Sequence, residues 1–296
     1  MELLQLKYFK ALAERNHLTS TAKDLHVSAP ALSATITRLE RELGVKLFDR
    51  TGRNISLNKF GMIYLKHVNN VFATLENAEL ELLDAQTSQQ NKLSLAISSP
   101  IIWHEALSAF VGENSKIPLS HTIINLDMMK NAAYSSQFDF IITALGDLPE
   151  AEWNYEILCT NDRPVLAVYP NHPFAQRKQI CFSEAKDEQF IALSKGYSFR
   201  KFFDEFCAIA GFRPKIALEC DYALRVKMLA SECGIVLTTE SVMRTDALGD
   251  AVYVKIDSPD FKRTQAIFWN KQRYMSKNAT TFFNFMTDYY KSECWG

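Results

Sequence analysis

Apolar residues recur through Val27–Leu43 at helical spacing. Leu32, Ile36, Leu39 and Leu43 stand four, three and four residues apart, on one face of a helix. Ser28 is a good N-cap, and Pro30 falls in the first turn, where its missing N–H costs nothing. The opposite face carries Ala29, Ser33, Ala34, Thr37, Arg38 and Arg41, small or hydroxylated residues with two cations. Thr19–Leu25 predicts a shorter helix with Ala22 and Leu25 inward, and only His26 and Val27 separate it from the Ser28 cap. Two short helices joined so tightly make a helix-turn-helix, a motif whose second helix enters the DNA major groove. Gly44 stops that helix, and the residues to Leu57 predict a small β-wing turning at Thr51-Gly52. Upstream, Leu3, Leu6, Phe9 and Leu12 form a stripe expected to floor the motif.

A long helix is predicted from Lys59 to about Gln86, with Met62, Leu65, Val68, Phe72, Leu75, Leu82 and Leu83 at mostly coiled-coil-like spacing. The short module before it cannot cover such a stripe, so pairing with a second subunit is expected; packing on the C-terminal body is the alternative. Thr87–Asn91 is polar and aperiodic, an expected hinge. From Lys92 onward, strand patterns at Leu93–Ile97, Phe138–Thr143, Val165–Tyr169, Phe190–Leu193 and Gly234–Thr238 alternate with helical stretches. Such alternation predicts open α/β sheets.

Charge sharpens the division. The net charge is −1, yet residues 1–67 hold eleven Lys and Arg against six Asp and Glu, leaving +5 there and −6 elsewhere. A basic end on an acidic body is the asymmetry of a DNA reader joined to another module. With 47% hydrophobic residues among 296, the chain can bury a large core in about two domains. No charged-then-apolar leader precedes the first helix and no apolar run nears ~18 residues, so a cytoplasmic protein without a membrane partner is expected. Cys159, Cys181, Cys207, Cys220, Cys233 and Cys294 form no CxxC and read as reduced thiols. The six histidines lack metal-ligand spacing, ten glycines form no phosphate loop, and Gly196-Tyr197-Ser198-Phe199-Arg200 fails the nucleophile-elbow pattern at its last position. No cofactor, metal or catalytic residue is expected, and no enzyme.

The string LTSTAKDLHVSAPALSATITRLERELGVKLFDRTGRNISLNKFG resembles the N-terminal module of LysR-type transcriptional regulators. Two departures matter. The family usually has Gln where this chain has Ala29, and a polar or basic pair where it has Ala34-Thr35. Operator preference therefore does not carry over. The resemblance implies an α/β architecture: a winged helix-turn-helix DNA-binding domain at 1–58, a linker or dimerisation helix with hinge at 59–91, and an effector-binding domain at 92–296. That last domain is built like a periplasmic binding protein in the family, with two α/β lobes joined by two crossover strands. Lobe I is expected at 92–160 and 268–296, lobe II at 161–267. Asn171-His172-Pro173-Phe174 matches the loop after lobe II's first strand, and Leu229–Ile235 its late helix–Gly–strand step.

Open α/β sheets bind ligands beyond the carboxyl ends of strands, often at helix N-termini. Ser98 and Ser99 precede Pro100 after the first strand, Thr143 ends the second, and Ser198 and Phe199 open a helix after Gly196. The resemblance sets an inducer between the lobes against such positions, with Met128 and Met129 lining the same cleft. Hydroxyls beside free N–H groups favour a small anion such as a carboxylate, although simple helix capping explains each serine equally well. On the DNA side the expected residues are Ser28, Pro30, Ser33, Thr37, Arg38, Arg50, Thr51 and Arg53. Ser28 and Thr51 would hold phosphates, Arg53 would reach the minor groove, and Ser33, Thr37 and Arg38 would address base edges. Relatives act as dimers and commonly tetramers, with double-stranded DNA, a small-molecule effector and RNA polymerase as candidate partners. Two alternatives stand: a DNA-tethered ligand-binding protein without a regulatory response, and a thiol redox sensor. The family's peroxide sensors carry a reactive Cys at the start of the lobe II helix with a partner nine residues on; here Ser198 stands first and Cys207 second.

Overall fold

Helical periodicity at the start of the chain resolves into α1 (Leu3–Arg15), α2 (Leu18–Asp24) and α3 (Ala29–Leu43). The computed structural model describes residues 1–51, 54–86, 92–131, 135, 137–245, 247–258 and 261–292. Arg53, the expected hinge at 87–91 and Cys294 lie outside the described residues, as do the side chains of Arg50, Thr51 and Leu83. The chain divides into two compact units, Met1–Glu79 and Leu80–Gly296.

In the first unit the turn between α2 and α3 is set by His26, whose φ of 55° is left-handed, and by Ser28, whose Oγ accepts the Ala31 N–H at 3.3 Å. Gly44 closes α3 at φ 72°, a conformation that glycine adopts without a Cβ penalty. Leu6, Phe9, Leu12, Ala22, Leu32, Ile36 and Leu39 form the core. Leu3, expected to floor it, is 52% exposed. Gln5 takes the inward place instead and donates to Glu42 at 3.1 Å. The inner face of α3 also carries one charge, the buried Glu40. Its carboxylate accepts the backbone N–H of Leu47 at 2.9 Å and of Phe48 at 3.4 Å, and pairs with Lys46 at 2.8 Å. It thereby anchors the wing, β1 (Phe48–Thr51) antiparallel to β2 (Asn54–Leu57).

Asn58 then caps α4 (Lys59–Gln86): its Oδ1 accepts the N–H groups of Phe60 and Gly61, and its Nδ2 donates to the Lys46 carbonyl. The expected stripe of α4 divides. Tyr64, Leu65, Val68 and Phe72 pack on the helix-turn-helix core, whereas Met62, Ile63, Leu75 and Leu82 stay exposed. Near the C-terminal end of α4, Asp84 accepts from the Tyr274 hydroxyl at 3.1 Å and the Lys277 N–H at 3.2 Å, within the second unit.

That unit runs β3 (Leu93–Ile97), α5 (His104–Glu113), β4 (Leu119–Ile123), α6 (Leu126–Lys130), β5 (Phe140–Ala144), β6 (Trp153–Asp162), β7 (Pro164–Val168), β8 (Gln179–Ile180), β9 (Gln189–Leu193) and α7 (Ser198–Ile209). It continues β10 (Lys215–Cys220), α8 (Tyr222–Ala230), β11 (Val236–Thr239), α9 (Glu240–Arg244), β12 (Val252–Ile256), β13 (Arg263–Asn270) and α10 (Lys277–Ser292). One sheet has the order β4-β3-β5-β13-β6; the other has β11-β7-β12-β8, bridged to the parallel pair β9-β10 at Phe190–Ile235. The chain leaves the first sheet through β6 and returns through β13, so these two strands are the crossovers of a two-lobed α/β body. β13 joins the first sheet from Arg263 and straddles the expected division at 267/268. His172 is buried after β7, its Nδ1 accepting the Phe174 N–H, which gives the Asn171–Phe174 loop a packing role. No helix among the described residues is long and apolar enough to cross a membrane.

The junction of wing and α4 leaves no room at Gly61, where a Cβ would lie 2.2 Å from the Leu47 carbonyl oxygen and 2.4 Å from Leu57 Cδ2. Gly61→Ala is expected to destabilise the first unit by about 1–3 kcal/mol. Calorimetric melting of the full chain reads this as an earlier transition for that unit alone; an unchanged profile would contradict the packing described.

Candidate functional site

The outer side of α3 is built from small residues. Pro30, Ala34, Thr37, Arg38 and Arg41 are exposed and Ser33 is half-buried, so the helix backbone can approach a groove floor closely. Ser28 is exposed with its Oγ engaged in the cap. Thr35 turns its hydroxyl back to the Ala31 carbonyl at 3.0 Å, and Ala29 packs on the core. Arg38 Nη2 lies 3.3 Å from Glu2 Oε2, with the two side chains 46% and 65% exposed. An ion pair so open to solvent contributes about 0–1 kcal/mol, so a phosphate or base edge can draw Arg38 away. In the wing, the backbones of Arg50 and Thr51 face Ile55 and Asn54.

In the second unit, polar contacts hold the two lobes together. Tyr222, at the start of α8, donates its hydroxyl proton to the Ser98 carbonyl at 3.0 Å, leaving Ser99 Oγ to donate to Tyr222 at 2.9 Å. The Leu126 N–H donates to the Gly196 carbonyl at 2.8 Å. Asp147 accepts from Thr143 Oγ1 at 2.6 Å and from Ser198 Oγ, and Arg263 donates to the same Ser198 oxygen.

Between these contacts lies a cavity of about 10 Å³, room for roughly one water. Its wall includes two arginines that sequence reasoning missed, Arg225 from α8 and Arg263 from β13. Both are more than nine-tenths buried, and burial lowers the pKa of each guanidinium. Their surroundings differ. Arg263 has the Ser198 hydroxyl and feels Asp147 and Asp162. Arg225 forms no hydrogen bond or ion pair among the described residues; its guanidinium lies 5.4 Å from the Tyr222 ring centroid and 5.7 Å from that of Phe199. The Phe199 ring also lies 5.4 Å from Arg263, so both cations meet one aromatic face system. A third buried arginine, Arg200, is fully compensated by Asp204 at 2.9 Å, Glu219 at 2.8 Å and the Leu193 carbonyl at 2.8 Å. Thr238 Oγ1 and Gln265 Oε1, from residues on the same wall, are buried without partners. A buried cation beside the unpartnered Thr238 hydroxyl describes a site for an anion, and Gln265 Oε1, an acceptor, calls for a donor next to it.

A larger hollow of about 330 Å³ lies on the other side of α9, lined by Arg163, Arg244 and Lys255 among others. Its three cations are exposed, so solvent screens them. The buried cleft is the stronger site. At the base of the hollow, desolvation raises the pKa of Asp162, which accepts the Ser241 N–H at 2.9 Å.

Of the expected ligand residues, Ser99 and Phe199 line the cavity directly. Ser98 contributes its carbonyl to Tyr222, and Thr143 and Ser198 reach the site through Asp147 and Arg263. Met129 instead packs in lobe I with Ile124 and Phe138, with Met128 against them, on a different cluster from the cleft. The cleft residues that were missed sit at strand ends and on α8, and the one signal available was position at the carboxyl end of β11 for Thr238 and Thr239.

Comparison with known proteins agrees with both halves. The family model for the bacterial regulatory helix-turn-helix protein, lysR family, matches residues 3–62, and that for the LysR substrate binding domain matches 86–291. The chain is 30% identical to the HTH-type transcriptional regulator YybE of Bacillus subtilis, over 98% of this chain and 99% of that one. It is 28% identical to the transcriptional dual regulator GltC of the same organism, over 98% of each. Among solved structures, full-length CbnR complexed with its target DNA has a TM-score of 0.61 at 21% identity, covering 97% of this chain and 99% of that one.

Sulfur chemistry finds little footing. Burial pushes the Cys207 thiol up to about 12 with help from the Asp204 charge, and Cys159 up to about 11 with help from Asp162. Cys220 is also buried, whereas Cys181 and Cys233 are exposed. Iodoacetamide is expected to label Cys181 and Cys233 in the folded protein and to reach Cys159, Cys207 and Cys220 only after unfolding, as read by peptide mass spectrometry. Rapid native labelling of Cys207 would reopen the redox alternative.

Proposed function

The chain belongs to the LysR family of DNA-binding transcriptional regulators with an effector-binding domain, and we propose that a small anion in its inter-lobe cleft sets how it holds DNA. The observation that carries this reading is Arg225, a buried guanidinium without a carboxylate among the described residues, on the chain that also bears the helix-turn-helix. Ser99, Phe199 and Arg263 would complete the anion site, with Ser198 and Thr143 acting through Asp147. The cavity is too small for an effector, so entry requires the lobes to part, which exchanges the Tyr222–Ser99 and Ser198–Asp147 contacts for contacts to ligand.

On the DNA side, Ser28 and Thr51 would hold phosphates, Arg53 the adjacent minor groove, and Ser33, Thr37 and Arg38 the base edges. Few of these side chains can make bidentate contacts, and Ala29 and Ala34 make none, so DNA shape and bending would supply much of the specificity. The exposed Met62, Ile63, Leu75 and Leu82 on α4 support a homodimer built on that helix, whose two recognition helices would enter successive major grooves. Paired dimers, hence a tetramer, would give a change in cleft geometry a lever on the DNA bend. An activating output would further require contact with RNA polymerase. With DNA as partner, this work would take place in the cytoplasm.

Nuclease footprinting on the region upstream of the protein's own gene tests the reading. The expected result is protection of half-sites spaced by whole helical turns, about 10.5 base pairs or a multiple. Arg53→Ala should lower the salt slope of binding by about one, and Ser99→Ala should leave protection unchanged. Protection without sequence preference, or its loss in Ser99→Ala, would contradict this division of labour.

A further inference from the structure

The unsatisfied groups of the cleft define what would complete them. Arg225 offers an Nε–H that no described residue accepts, and Thr238 a hydroxyl without a partner. A carboxylate answers both. It cannot answer Gln265 in the orientation this side chain takes here, where Oε1, an acceptor in a residue 1% exposed, lacks a donor. All three residues line the one cavity, with Ile101, Ile102 and Val242 supplying apolar wall.

The donor can be a hydroxyl or an ammonium, and charge decides between them. Two buried guanidiniums face the same space, and in so dry a setting like charges repel strongly. Asp147 and Asp162, the acidic groups that Arg263 feels, do not line the cavity, so neither offers an ammonium a contact there. A hydroxyl supplies the proton without the charge. We propose that the effector is a small hydroxycarboxylate, its carboxylate on Arg225 and Thr238 and its hydroxyl donating to Gln265 Oε1. This rests on the cleft being the effector site.

Isothermal titration of the full chain with three matched pairs tests it: lactate against propionate, malate against succinate, and mandelate against phenylacetate. Each pair differs by one hydroxyl, and the sizes are graded. The hydroxy acid is expected to bind at least about tenfold tighter than its deoxy partner in one pair or more, the effect of one hydrogen bond to an otherwise unpaired buried group. Gln265→Met should abolish that preference while carboxylate binding persists, and Arg225→Gln should weaken both members about tenfold or more. Equal binding within every pair would overturn the hydroxyl assignment and leave the cleft a carboxylate site. Failure of all six to bind, or binding indifferent to Arg225→Gln, would overturn the cleft reading itself.

Discussion

A cation buried without a counter-charge costs several kcal/mol, and among the described residues Arg225 has none. Arg200, also buried and on the same lobe, has two carboxylates and a carbonyl. The fold therefore has the means to compensate an arginine and does not use them at the cleft. Cation–π contact with Phe199 and Tyr222 offsets part of the desolvation of Arg225. The remainder is stability forgone at a place where a ligand can restore it, the usual relation between strain and function in a binding site.

The cleft around it is held shut by bonds that an anion would compete with. Tyr222 ties α8 to the end of β3 through Ser98 and Ser99, while Arg263 reaches Ser198, which in turn bonds Asp147. Arg263 opens β13, one of the two strands by which the chain passes between the sheets. A charge arriving at Arg263 thus acts on a crossover strand and on an inter-lobe contact together. That is the physical content of coupling here: a ligand with different contacts in two arrangements of the lobes shifts their balance.

Much of this was legible in the residues, for reasons that differ by element. The cap at Ser28 and the spacing of Leu32, Ile36 and Leu39 are local signals, and α3 begins and ends where they place it. Leu3 fails because a stripe three residues apart cannot say which helix-terminal residue still meets the core. Glu40 is buried on the apolar face of α3 because its partners, the N–H groups of Leu47 and Phe48, come from the wing and lie beyond helical periodicity. Strand–helix topology points to Ser99 and Phe199, and both line the cavity. Arg225 and Arg263 were not: in Tyr222–Ala230 and Arg263–Asn270 an arginine reads as a solvated residue, and only the meeting of two lobes buries it. Met129, which analogy places at the cleft, packs in the lobe I core.

Among the described residues, Arg225 stands uncompensated. Its most direct test is the melting temperature of the second unit in wild type and Arg225→Met, in a buffer free of carboxylates and other oxyanions. Replacing an unpaired buried cation by an apolar side chain of similar length is predicted to stabilise that unit by about 1–4 kcal/mol. A lower melting temperature in the variant would mean that the protein itself already supplies the partner, and the anion site would lose its foundation.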